Sequence, residues 1–204
     1  MEILITSKTR KGRAACVGGL VIAGNRYVRL LNPGNWDQYA DTPFEIGHIW
    51  DISFSDRPDA EPPHVEDVII HSKRFVRNVE NITEFILQQG VEIFRGTPNS
   101  IFNRKLQWTW KGNGYIADKD NLPQNSVGFW IPDNDLTFSD TDGHYSYPAQ
   151  GRQFEKKIKY VGFKPPVPTI PAGTLTRVSL ARWWAPEDAE MEEKRCYLQL
   201  SGWY

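Results

Sequence analysis

The sequence predicts a mostly β fold with one short helix and long loops in its middle. Three observations predict it. Runs rich in β-branched and aromatic residues, punctuated by Gly, Pro and Asn, fill roughly the first 80 residues and return after residue 150. Five such runs fit into the first stretch, which is the size of a small closed barrel. Helical spacing is confined to NITEFILQQG and the residues just after it.

The first run, EILITSKTR, alternates and is β-branched, so it reads as a strand. AACVGGLVIAG follows a basic KTRKGR turn as the second. In LVIAGNRYVRLL two β-prone halves flank Gly24 and Asn25, residues that tolerate the positive φ of tight turns, so a hairpin is expected there. LNPGNW breaks the ladder through Pro33, Gly34 and its two asparagines. FEIGHIWDISFSDRP resumes the β pattern at Ile46, Ile49, Ile52 and Phe54, with Gly47 marking a bulge or bend. Beyond the proline-rich DRPDAEPPH, VEDVIIHSKRFV supplies the fifth strand.

The helix rests on Ile82, Phe85, Ile86 and Leu87, with Asn81 or Thr83 as cap and Gly90 as its end. TPNSIF holds a turn, and KLQWTWKGNGYIAD reads as a hairpin bent at GNG. Residues 122–150 are loop-like, although VGFWIP reads as a strand and LTFSDTDGHYSY as a hairpin. FEKKIKYVGF alternates apolar residues with lysines, and KPPVPTIPAG reads as a stiff linker. TLTRVSLARWW and RCYLQLSGWY are the closing strands, separated by the acidic loop PEDAEMEEK. The expected organisation is a barrel over 1–80, a helix and loop-rich connection over 81–150, and a second β unit over 151–204 that can complete one module with the middle.

Composition narrows the functions. The 204 residues are 40% hydrophobic and 24% charged with a net charge of −1, so a chain that coats nucleic acid along its whole surface is excluded. Any such binding comes from a local patch. Cys16 and Cys196 stand far apart in apolar contexts without CxxC spacing, which reads as two reduced, buried thiols. No stretch approaches the ~20 apolar residues needed to span a bilayer, and MEILITSKTRKGR lacks the apolar run of a secretory signal. A cytoplasmic protein with no membrane association is expected.

Several stretches together resemble a family, the dual OB-containing domain found in bacterial proteins. They are ILITSKTRKGRAACVGGL, RYVRLLNPG, FEIGHIWDISF, PPHVEDVII, and above all GTLTRVSLARWW followed by RCYLQLSGWY. These are framework patterns spanning most of the chain, and none is a catalytic signature. The resemblance implies two OB-like barrels packed together, a fold that commonly binds single-stranded nucleic acids or oligosaccharides on one sheet face. By analogy, such a chain serves as the sensing part of a bacterial defence or genome-maintenance system.

The candidate binding residues fall in three places. KTRKGR concentrates Lys8, Arg10, Lys11 and Arg13 between two strands, where cations can track phosphates or simply form a solvated turn. In RYVRLLNPGNW, alternation puts Tyr27 and Arg29 on one face, with Trp36 beyond, a set suited to stacking and phosphate contact. In TLTRVSLARWW, Arg177, Ser179, Ala181 and Trp183 share one face, while Val178, Leu180, Arg182 and Trp184 share the other. Trp184 is therefore expected to be buried and Trp183, on the face of Arg177, to be the better binding candidate, although a framework role for most of these rings is the favoured alternative.

The preferred reading is a non-enzymatic module for single-stranded DNA or RNA, or a nucleotide, with no cofactor and no metal. One alternative is a metal-dependent nuclease or hydrolase built on His64, Glu66 and Asp67, with His144 as a further member. Another is a scaffold whose aromatic edge pairs with a protein partner encoded nearby. For nucleophilic catalysis neither a GxSxG elbow nor a Gly-rich phosphate loop is present.

Overall fold

Alternation in EILITSKTRK produces a ten-residue strand, β1 (Glu2–Lys11), whose Ile3 and Ile5 turn into a core. The structure, a computed structural model, describes residues 1–117, 119–149, 151, 154–185 and 193–204. Two compact units divide the chain: residues 1–92 with 162–164 and 204, and residues 93–161 with 165–203. Most of the expected acidic loop, residues 186–192, lies outside the described residues.

In the first unit β1 is followed by β2 (Ala14–Val21), β3 (Arg26–Leu31), the two-residue β4 (Gln38–Tyr39), β5 (His48–Asp56) and β6 (Asp67–Asn78). The β2–β3 turn takes positive φ at Gly24 and Asn25, as its sequence predicts. β1 pairs antiparallel with β2, β2 with β3, β3 parallel with β6, β6 antiparallel with β5, and β5 back onto β1. These pairings close a five-stranded barrel of the OB kind. Val17, Val28, Leu30, Ile52, Val68 and their neighbours fill its interior. Closure leaves a short β1–β2 turn, because β1 runs through Lys11 and only Gly12 and Arg13 lie between the strands. Helix α1 (Ile82–Gln88) follows, its first turn capped by Asn81 Oδ1 accepting from the Glu84 amide at 3.0 Å.

The second unit holds β7 (Ile93–Gly96), β8 (Gln107–Trp108), β9 (Gly114–Ile116), β10 (Val127–Pro132), β11 (Leu136–Ser139), β12 (His144–Tyr147), β13 (Lys156–Tyr160), β14 (Thr169–Ile170), β15 (Thr176–Leu180) and β16 (Cys196–Trp203). Here the order of pairings is that of the first barrel: β11 with β12, β12 with β13, β13 parallel with β16, β16 with β15, and β15 with β10. β10 and β11 do not pair with each other: Asp133–Asn134–Asp135 separate them, and the path of pairings ends with β7 on β10 and β14 on β11. Turn-favouring residues make the break and side chains hold it. The Tyr147 hydroxyl donates to Asp133 at 2.7 Å and accepts from Asn134 at 3.0 Å, while Asp135 accepts the Ala172 amide at 2.8 Å. Trp130, Tyr145, Ile158, Val178 and Leu200 are among its core residues.

Three local expectations change. β7 is a strand parallel to β10, although its residues follow the helix directly. The KPPVPTIPAG segment contains β14, which pairs with β11 through Leu136↔Ile170, so that segment is partly sheet. β15 ends at Leu180, before the tryptophans, so the alternation projected onto Trp183 and Trp184 has no strand to carry it.

Candidate nucleic-acid interface

In the first unit, the residues at the β1–β2 turn are brought beside the loop that follows β3. β4 pairs with β2 through Ala14↔Tyr39 and Ala15↔Gln38, and Gln38 Nε2 donates to the buried Leu30 carbonyl at 2.9 Å. That anchor fixes the 32–39 segment alongside the turn. The loop is built around Asn32, whose Oδ1 accepts from the amides of Gly34 at 3.0 Å and Trp36 at 3.2 Å. Asn35 adopts φ 64°, and the Asn32 amide donates to the Trp36 carbonyl at 2.9 Å. The Trp36 ring lies against Gly34, where an added Cβ would stand 2.8 Å from Cδ1. The consequence is an indole 73% exposed on a short, internally bonded loop, with Tyr39 74% exposed nearby in sequence.

Three exposed cations stand on or next to the β1–β2 turn. Lys11 is exposed and bridges to Asp37 at 2.7 Å. Arg13 is exposed at the tip of the turn. Arg10 is exposed as well, lying 5.4 Å over the Phe163 ring and donating to the Phe163 carbonyl at 3.2 Å. Arg29, half-buried on β3, forms a bidentate pair with Asp67 at 2.5 and 2.6 Å. Arg57 joins the same carboxylate at 3.1 Å. Tyr27 is half-buried one residue before Val28 on the same strand. Beneath the cluster, burial pushes the Cys16 thiol up despite the nearby Arg29 charge, which keeps it a neutral thiol. Neither cysteine forms a disulfide.

Other sequence-predicted residues stand elsewhere. Lys8 is 6% exposed, because it is a strand residue and not part of the turn, and its Nζ donates to Glu45 at 2.6 Å and to the Thr42 carbonyl at 3.2 Å. Arg177 is 1% exposed, lying 5.0 Å over Phe129 and donating to the Gly128 carbonyl at 3.2 Å. A charge sealed in this way is unavailable to a phosphate, so Lys8 and Arg177 leave the binding set as corrections. Trp183 packs against the second core with Lys119 Nζ 5.3 Å over its ring, whereas Trp184 is 53% exposed. Trp184, expected to be buried, is thus the exposed ring, and Trp183 is half-buried.

A second aromatic group lies in the second unit, where the sequence points to Trp184 but expects it to be buried and does not point to Tyr115 or Tyr197. Trp184 meets Tyr197 at 6.1 Å, Tyr197 meets Tyr115 at 6.0 Å, and Arg195 lies 4.3 Å over Tyr115. Backbone bonds between Trp184 and Arg195, at 2.8 and 3.1 Å, hold the two segments together. The signal was present in the closely spaced Trp and Tyr residues of LARWW and RCYLQLSGWY. It was misassigned because strand alternation was extended past the end of β15.

His64, Glu66 and Asp67 are all buried. Both oxygens of Asp67 are engaged by guanidinium groups, which is a structural ion cluster and offers no open coordination position. Among the described residues no group of three His, Cys, Asp or Glu side chains is placed to share a metal ion. No helix is long and apolar enough to cross a membrane among those residues.

None of the characterised proteins compared with the chain matches it in sequence. A solved murine DNA-binding protein bound with double-stranded DNA aligns over 100% of this chain and 95% of that chain at 12% identity, with a TM-score of 0.26. The sequence pattern of the dual OB-containing domain matches residues 1–203, with the five-strand circuit observed here, and the chain belongs to that family.

Proposed function

We propose that the chain is a non-enzymatic module that binds single-stranded DNA or RNA through the surface formed by Trp36, Tyr39, Arg10, Lys11 and Arg13. OB folds commonly bind single strands, by combining exposed rings with a cationic track. The observation that carries the reading is Trp36, an indole left 73% exposed although its loop is tightly bonded. Leaving so large an apolar ring in water is costly, and a base stacked on it removes that cost. Its neighbours supply the complementary charge. Arg13 at the turn tip and Arg10 beside it meet phosphates, Lys11 does so by exchanging Asp37 for a phosphate, and Tyr27 and Arg29 form the flank of the surface.

The test is fluorescence polarisation with labelled single-stranded DNA, single-stranded RNA and duplex. Trp36→Ala is expected to weaken single-strand binding about tenfold, in line with one stacked base. Arg13→Gln is expected to weaken it on all sequences alike. The reading fails if none of the three polymers binds at low salt, or if binding persists unchanged in both variants.

A further inference from the structure

The second unit contains a cavity of about 550 Å³ beside Trp184, lined by Asn113, His144, Lys159, Trp184, Tyr197 and Gln199 together with Ala181 and Leu198. Its volume falls within the range of small-ligand sites, and its walls divide by chemistry. One side is aromatic, made by Trp184 and Tyr197 with ring centroids 6.1 Å apart at 61°. The side-chain amides of Asn113 and Gln199 carry no hydrogen bond among the described residues, so their donors and acceptors remain for a ligand edge. The other side carries the Lys159 ammonium group and the His144 ring, whose Nδ1 also lies 3.4 Å from the Asp142 carboxylate. Lys159 Nζ donates to the Asp142 carbonyl at 2.7 Å, and His144 Nδ1 lies 2.8 Å from the same oxygen. The Asp142 carboxylate is engaged by Lys157 at 3.1 Å, so Lys159 keeps a charge that no carboxylate contact offsets. Lys159 is held over Gly143, where an added Cβ would stand 3.0 Å from Nζ. A backbone carbonyl thus steers the ammonium group without neutralising it.

We propose that this cavity is a second binding site and that it takes a single nucleoside monophosphate. The base stacks on Trp184 and Tyr197, the amides of Asn113 and Gln199 meet its hydrogen-bonding edge, and Lys159 with His144 holds the phosphate. A flat ring joined to an anion is the chemistry that uses all three walls at once. An apolar ligand leaves the amides and the ammonium group unused, and a simple anion leaves the rings exposed. The site shares no residue with the surface assigned above to single strands, and it goes beyond that reading.

Calorimetric titration of the full chain with AMP, GMP, CMP and UMP, with adenosine and ribose 5-phosphate as partial ligands, tests it. At least one monophosphate is expected to bind, with each partial ligand about tenfold weaker or worse, as expected when a stacked ring or a charged contact is removed. Trp184→Ala and Lys159→Met are each expected to cost about tenfold with unchanged melting, because both side chains are exposed. The site is overturned if no monophosphate binds at millimolar concentration, or if binding is indifferent to both substitutions. An oligonucleotide titration that fails while a monophosphate binds overturns the single-strand reading alone, and the converse overturns this site alone.

Discussion

Asp67 shows how a residue that looks catalytic in sequence becomes structural in the fold. Its carboxylate, 1% exposed, sits at the start of β6, where the parallel pairing Arg29↔Asp67 brings a guanidinium directly opposite. Arg57, from the connection before β6, completes the pair of cations. Removing one partner of a buried ion cluster leaves charge without compensation, which costs far more than the intact cluster contributes. Asp67→Asn is therefore expected to lower stability by about 3 kcal/mol, at the low end for buried pairs because both arginines keep some solvent contact. Urea denaturation measures it. A loss below about 0.5 kcal/mol would mean that the cluster behaves as a solvated surface bridge. Lys8 follows the same logic: its bond to Glu45 makes it a stability residue and removes it from phosphate contact.

The β11–β12 hairpin is where titration and element stability meet. Burial raises the Asp142 carboxyl, but hydrogen bonds from Lys157 and Ser139, with the His144 charge and amide, outweigh it and hold the group at about 2. Its folded value is depressed from 3.8, so its contribution is fully present above that value and is lost as pH falls towards 2. Melting temperature measured from pH 5 to 2 is expected to drop further in the native chain than in Asp142→Asn, which lacks this titration. Equal slopes would remove the assignment. The flanking strands were legible, since LTFSDTDGHYSY carries both alternation and turn residues, and the same holds for β1, β2 and β3. The two-residue strands β4 and β14 were not legible, because they are too short to show a period and lack the turn signal that marked the β8–β9 hairpin, and β4 is what places the 32–39 segment beside the basic turn. Arg177 misled for a different reason. A polar residue in an alternating run reads as outward, yet the Phe129 ring and the Gly128 carbonyl accommodate this one inside. Trp184 misled because the period was carried past Leu180, where the strand stops.

At the scale of the whole molecule, one order of pairings occurs twice, closed in the first unit and open in the second, in sequences without an evident repeat. What closure demands is strand order, length and inward alternation, and many side-chain sets meet those demands. The first unit meets them by β5 returning onto β1, whereas in the second β10 and β11 are separated by Asp133–Asp135 and do not pair. A shared order of pairings therefore leaves the surfaces independent, which explains why exposed rings and cations differ between the units. Charge sets the strength of binding. With 24 Lys and Arg against 25 Asp and Glu, the chain has almost no net field to draw a polyanion from a distance. On the proposed reading, affinity for a single strand comes from the few cations at the β1–β2 turn, Arg10, Lys11 and Arg13. About three phosphate contacts give a slope of about −2 for log K against log salt, which is a fall of about 20-fold between 50 and 200 mM. Arg13→Gln is expected to make that slope shallower by about 0.7 while leaving the preference among bases unchanged, since a phosphate contact carries no sequence information. A slope steeper than about −4 in the native chain would require cations well beyond this turn, and it would move the interface away from Trp36.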